Sequence, residues 1–160
     1  DVCSSDLVLQ EDVAECFEAV KQSPYMLLVD QVKSSRCLPR RGDEEKLPLT
    51  EWVNRPRSDL PAITHVDYSA RIQTVDRERN PRLHRLLQEF KKLTGCPVLV
   101  NTSFNVRSEP IVCTPEDAVR CFMATDMDVL VLENFVLRKA EQTALPEAER
   151  ARHLQAFDLD

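Results

Sequence analysis

The sequence predicts an α/β domain, and three observations carry that prediction. Apolar runs of strand length recur at 26–30, 97–100 and 128–132. Residues 64–75, THVDYSARIQTV, alternate polar and apolar with the period of a strand. Between these runs, 80–95 and 114–124 carry apolar residues at helical spacing. A chain of 160 residues, 42% hydrophobic and 30% charged, is long enough to enclose a core.

The first element, QEDVAECFEAV at 10–20, reads as a short helix with Val13, Phe17 and Val20 on one face. MLLVD at 26–30 reads as a strand. Residues 33–61 hold four prolines and the single tryptophan, and are expected to form a long excursion outside the core. In 64–75 one strand face would be apolar, through Val66, Tyr68, Ala70 and Ile72. The other would carry His65, Asp67, Ser69, Arg71 and Gln73, a row richer in directional groups than solvation requires.

Residues 80–95 give the clearest helix. Asn80 is placed to cap it, Pro81 suits its first turn, and Gly95 can end it in the left-handed conformation. Leu83, Leu86, Leu87, Phe90 and Leu93 form the apolar stripe, which leaves His84 as a solvated surface residue. The strand 97–100 follows. Thr114-Pro115-Glu116-Asp117 then opens a helix with a capping box, with Ala118, Cys121 and Phe122 facing inward. Residues 128–132 read as a buried strand, and 135–137 extend the sheet past a turn. The remainder, 140–160, is a charged peripheral tail, partly helical over 146–157.

The net charge of −6 disfavours a general nucleic-acid binder. Yet ten Lys/Arg face five Asp/Glu between Arg55 and Arg107. A basic centre in an acidic chain suits a small anionic ligand. Six cysteines without a C-x-x-C spacing read as small apolar residues rather than a disulfide frame or a zinc site. No apolar run approaches the ~18–20 residues that cross a bilayer, and no signal-peptide pattern opens the chain, so the expected location is the cytoplasm.

The stretch Asn101-Thr102-Ser103-Phe104-Asn105 stands directly after an apolar strand. Its amides and hydroxyls can both donate and accept, so they could read a planar amide, and Arg71 could bind phosphate or carboxylate bidentately. Asn and Ser are also ordinary turn residues. There is no phosphate-binding glycine loop and no nucleophile–base pair, so a covalent mechanism has no support.

The block LTGCPVLVNTSFNVRSEPIVCTPEDAVRCFMATDMDVLVLENF, with ITHVDYSARIQTV before it, closely resembles the C-terminal domain of the O-carbamoyltransferases. The resemblance covers residues 8–139. It implies a YrdC-like fold, a twisted mixed sheet with packed helices in a single domain. It also implies ATP-dependent activation of carbamoyl phosphate to carbamoyl-adenylate, with Mg²⁺ on the ATP. An N-terminal kinase-like domain, where the family's metal site is expected, would then transfer the carbamoyl group to a hydroxyl. Ser103-Phe104-Asn105 matches the Ser-x-Asn motif of such domains. Arg71, Asn101 and Thr102 match positions around it, with His65, Asp67, Gln73 and Arg107 as supporting residues. Nucleic acid is not an expected partner, and no catalytic side chain is implied. A free-standing YrdC-like module binding nucleotide or RNA, and a degenerate remnant, remain alternatives.

The chain departs from the family pattern at three places. Ser108 and Glu133 stand where the family usually has glycine, and only two glycines occur in the chain. If those turns need positive φ, each replacement costs on the order of 1 kcal/mol. Residues 1–7, DVCSSDL, match no family position and read as the translation of a common sequencing adapter, so they are expected to be foreign to the domain. The family's upstream Lys-x-Arg motif has no counterpart in the 160 residues, and the chain is expected to be a fragment.

Overall fold

The computed structural model describes residues 5–39, 42, 47–106 and 108–156. The architecture is mixed α/β: a four-stranded sheet, a two-stranded sheet and five helices among the described residues. The chain packs as two compact units, one through Thr102 and the other from Ser103.

The first unit is built on the sheet order β2-β3-β1-β4. β1 spans Ser5–Leu9, β2 Leu28–Gln31, β3 Ser69–Val75 and β4 Val98–Asn101. β1 runs parallel to β3 and antiparallel to β4, while β2 runs antiparallel to β3. Alternation along the strands separates two apolar layers. Val8, Ala70, Ile72 and Val98 face one way and pack with Val13, Cys16, Phe17 and Val32. Leu7, Leu9, Val75 and Leu99 face the other and pack with Leu83 and Leu87.

The helix expected over 10–20 is shorter. A 3-10 turn at Gln10–Asp12 leads into α1, Val13–Cys16, and Phe17 is already extended, in a bridge with Val32. Backbone pairing with the sheet edge wins there over one more helical turn. Val13 and Phe17 are buried as expected. Among its described residues the segment 33–61 is largely irregular, with a 3-10 turn at Ser34–Arg36 and α2, Leu49–Asn54, but it does not stay outside the core: Leu60 is buried in the cluster of Val8 and Phe17, and Cys37 packs against it. Arg57 ends α2 by donating to the carbonyls of Trp52, Val53 and Arg55 while lying over the Trp52 ring.

α3, Pro81–Thr94, covers the Leu7–Leu9 layer. Pro81 opens it and Gly95, at φ 75°, closes it as the sequence predicts. Asn80 does not cap it through its side chain. The preceding turn is instead closed by Asp76, whose carboxylate accepts from the Glu78 and Arg79 amides. The buried face is rotated from the predicted stripe. Leu87 is 1% exposed, but Leu86 and Leu93 are 57% and 86% exposed. His84, expected in solvent, is buried, with Nε2 2.9 Å from Glu11 Oε1. Lys91 Nζ donates to buried Asp12 at 2.7 Å. Two polar contacts to the 10–12 turn thus set the helix rotation, and hydrophobic periodicity carries no record of them.

The second unit contains α4, Pro115–Ala124, the hairpin of β5, Val129–Leu132, and β6, Phe135–Arg138, and α5, Glu147–Gln155. The capping box of Thr114 and Asp117 is formed, and Ala118, Cys121 and Phe122 are buried. β5 pairs with β6 in a sheet of its own. Leu130 packs against Ala118 and Phe122, but Val131 is 61% exposed, so 129–132 is half-buried rather than fully buried. No helix among the described residues is long and apolar enough to cross a membrane. Cys16 and Cys121 are buried, Cys37 and Cys96 partly so, and Cys113 is exposed; all five are free thiols.

Candidate functional site

β3 carries the polar row only in part, because the strand starts at Ser69. The correction concerns His65 and Asp67, which stand in a turn and not on the strand face of Arg71. Tyr68 adopts φ 66°, which breaks the alternation. The Tyr68 amide donates to the His65 carbonyl, and the His65 amide donates to the Ser69 carbonyl. Asp67 Oδ1 accepts from the Ser69 amide at 3.1 Å and the Ser69 hydroxyl at 2.6 Å. Ser69 Oγ also lies 3.3 Å from His65 Nδ1. The Ser69 hydroxyl, and next its amide, hold the Asp67 carboxyl below the usual carboxylate range. Such Asx chemistry is legible as D-x-S, once the turn is suspected.

Arg71 and Asn101 are related by the sheet register. Asp6 pairs with both Ile72 and Val100, and Ser5 pairs with Asn101. Arg71 therefore occupies the same row as Asn101, two strand spacings away, roughly 10 Å, and on the same face. Both residues engage neighbouring groups. Gln73 donates its amide to the Pro24 carbonyl at 3.2 Å, which ties it to holding the 22–25 loop. On the opposite face, Asp6 is 1% exposed and its Oδ2 has no partner. Burial pushes its carboxyl up to about 7, against the pull of the Arg71 charge.

β4 ends at Asn101, followed by exposed Thr102, the last residue of the first unit. Ser103 opens the second unit and is exposed. The residues after Asn101 are not extended strand, so the parity expected to align Asn101, Ser103 and Asn105 does not carry through. Phe104, the middle residue of Ser-x-Asn, packs on the cluster of Ala118, Phe122 and Leu130. Its carbonyl accepts from the Val112 amide at 3.0 Å. Asn105 Nδ2 donates to the carbonyls of Val106 and Glu109, both at 2.9 Å, so its donors shape the loop. Its Oδ1 is buried with no partner. Glu109, which no motif or spacing singles out, accepts from the Val106 amide through Oε2 at 2.9 Å. Ser108 sits at φ 67°, and Glu133 in the hairpin turn at φ 53°, so both positions do require the left-handed conformation. Arg107 lies outside the described residues.

The cavities found among the described residues are lined by none of the predicted site residues. One of about 950 Å³ lies in the excursion, against Leu38, Pro39, Thr50 and Arg55. Another, about 550 Å³, is bordered by Gln10, Glu11, Asp76, Arg77 and His84, past the ends of β1 and β3. No cluster of three or more metal-ligating side chains occurs among the described residues.

Residues 4–139 match the family described as Carbamoyltransferase C-terminus. The chain belongs to that family. This carbamoyltransferase C-terminal domain is 59% identical over 154 residues to an uncharacterised protein of Synechocystis, covering 96% of the chain and 25% of the relative. It is 39% identical over 134 residues to the nodulation protein NolO of Bradyrhizobium diazoefficiens, covering 82% of the chain and 21% of that protein. The 3'-hydroxymethylcephem-O-carbamoyltransferase of Amycolatopsis lactamdurans is 32% identical over 131 residues, with 82% and 21% covered. The domain thus spans a quarter or less of these relatives. The match includes Ser5, Asp6 and Leu7, which form the first half of β1.

Proposed function

We propose that this chain is the part of an O-carbamoyltransferase that activates carbamoyl phosphate with ATP to carbamoyl-adenylate. An N-terminal kinase-like domain of the same protein then transfers the carbamoyl group to a substrate hydroxyl. The observation that carries the reading is family membership over 4–139 together with the intact Ser103-Phe104-Asn105 motif. A relative named for O-carbamoyl transfer to a hydroxymethyl compound supports the hydroxyl acceptor.

Adenylate formation needs anions held in line and fixed donors where charge develops, and it needs no nucleophilic side chain. In this reading Arg71 pairs with phosphate through its guanidinium fork. The Asn101 amide and the hydroxyls of Thr102 and Ser103 supply neutral hydrogen bonds, the last two from exposed positions. Asn105 Oδ1, an acceptor without a partner in its loop, matches the donor character of a carbamoyl NH₂. Mg²⁺ accompanies ATP as substrate and neutralises its phosphates. His65, Asp67 and Gln73 act indirectly, through the turn and loop contacts described above.

The test joins this chain to the upstream part of the Synechocystis relative and measures pyrophosphate release from ATP. Release that requires carbamoyl phosphate is expected. Release indifferent to carbamoyl phosphate, or none from a folded protein, would reject the proposal.

A further inference from the structure

The family match ends at residue 139, and nothing in the composition of the tail beyond it points to chemistry. Its helix α5 nevertheless reaches the motif loop. His153 Nε2 lies 3.3 Å from Glu109 Oε1, and the two side chains are only 11% and 9% exposed. Glu109 Oε2 is the acceptor of the Val106 amide, and the Glu109 amide donates back to the Val106 carbonyl at 3.1 Å. Asn105 Nδ2 bridges the same two carbonyls, Val106 and Glu109. The chain of contacts therefore runs from α5 through one carboxylate into the residue next to Asn105. α5 is itself anchored: Arg150 donates to the Ala124 carbonyl at 3.0 Å and pairs with Asp126 at 2.8 Å.

We infer that His153 is a positioning residue, which fixes the Glu109 carboxylate and through it the backbone at Asn105, Val106 and Glu109. The physical reason is the isolation of the carboxylate. A Glu side chain removed from water holds one rotamer only when both oxygens are engaged. Oε2 has the Val106 amide, the Cys121 thiol is hydrogen-bonded to the same carboxylate, and the imidazole Nε2 approaches Oε1 at ion-pair distance. Ser108 adds the need for restraint, because its left-handed backbone is a conformation that a non-glycine residue leaves readily. Without His153 the carboxylate turns toward water and releases the Val106 amide. The consequence for ligand binding rests on the reading under Proposed function; the consequence for loop order does not.

The experiment is residue-resolved amide hydrogen exchange on the chain with His153→Ala and His153→Gln, alongside thermal unfolding. His153→Ala should speed exchange of the Val106 and Glu109 amides roughly tenfold, while α4, β5 and β6 keep their protection. His153→Gln, which retains a donor for Oε1, should recover most of it. Unchanged exchange at Val106 would overturn the inference. So would equal acceleration throughout α4, β5 and β6, since α5 would then act only by general packing. A separate arm adds ATP and carbamoyl phosphate to the unsubstituted protein joined to its upstream part. Loop amides that gain no protection there would count against the proposed ligand and leave the His153 clamp standing.

Discussion

Three residues show how a local rule meets the fold. Ser108 and Glu133 were legible in the sequence as turn positions short of glycine, and both do take positive φ. Replacing either with glycine removes strain and should stabilise the chain by ~1 kcal/mol, read from the midpoint of urea unfolding. A neutral or destabilising effect at both would show that their side chains compensate. Asp6 was not legible, because its cost comes from the strands on either side. It lies in the central strand of a sheet, buried, with one oxygen lacking a partner. Its folded-state value of about 7 exceeds the ordinary 3.8, so the folded chain holds the extra proton between those limits. Stability is therefore fully present at acid pH below the ordinary value and falls as pH rises toward 7, by several kcal/mol on the order of ~1.4 per unit. Asp6→Asn should flatten that slope relative to the parent in urea unfolding at about pH 5 and about pH 7. An unchanged slope would mean that Asp6 is ionised without penalty.

At the scale of elements, helix existence was easier to read than helix orientation. α3 and α4 stand where their caps and periodicity put them, since Pro81, Gly95 and the Thr114–Asp117 box act within one turn. The rotation of α3 depends on Glu11 and Asp12, some seventy residues earlier in the chain, and no window of local sequence contains that information. The burial difference makes a direct contrast. Leu87→Ala should cost ~2–5 kcal/mol, while Leu93→Ala should stay within about 0.5 kcal/mol. Equal losses would restore the symmetric stripe that periodicity alone implies. β3 illustrates the same limit from the other side. Its alternating pattern extends to residue 64, but the Asp67–Ser69 hydrogen bonds and the Tyr68 backbone stop the strand at Ser69.

For the whole molecule, the candidate site was legible as a motif and illegible as a geometry. Ser103, Phe104 and Asn105 were recognised from residue type and order. That the Asn105 donors serve its own loop, and that Glu109 and His153 support it, came only from the fold. The 160 residues contain no Lys-x-Arg segment, and each absent charge-assisted contact forfeits ~1.5–3 kcal/mol. Under the proposed function, nucleotide binding without those Lys and Arg contacts is weaker by roughly two to four orders of magnitude. The chain by itself should accordingly release no pyrophosphate, in contrast to its joined form. Asn105→Ala is a poor probe of the site, since it removes two loop hydrogen bonds as well as any ligand contact. Ser103 is exposed, so its truncation should leave folding within about 0.5 kcal/mol. The decisive measurement is carbamoyl phosphate-dependent pyrophosphate release by the joined protein carrying Ser103→Ala. The account predicts a fall of roughly tenfold or more with an unchanged melting temperature; a rate equal to that of the unsubstituted protein would contradict it.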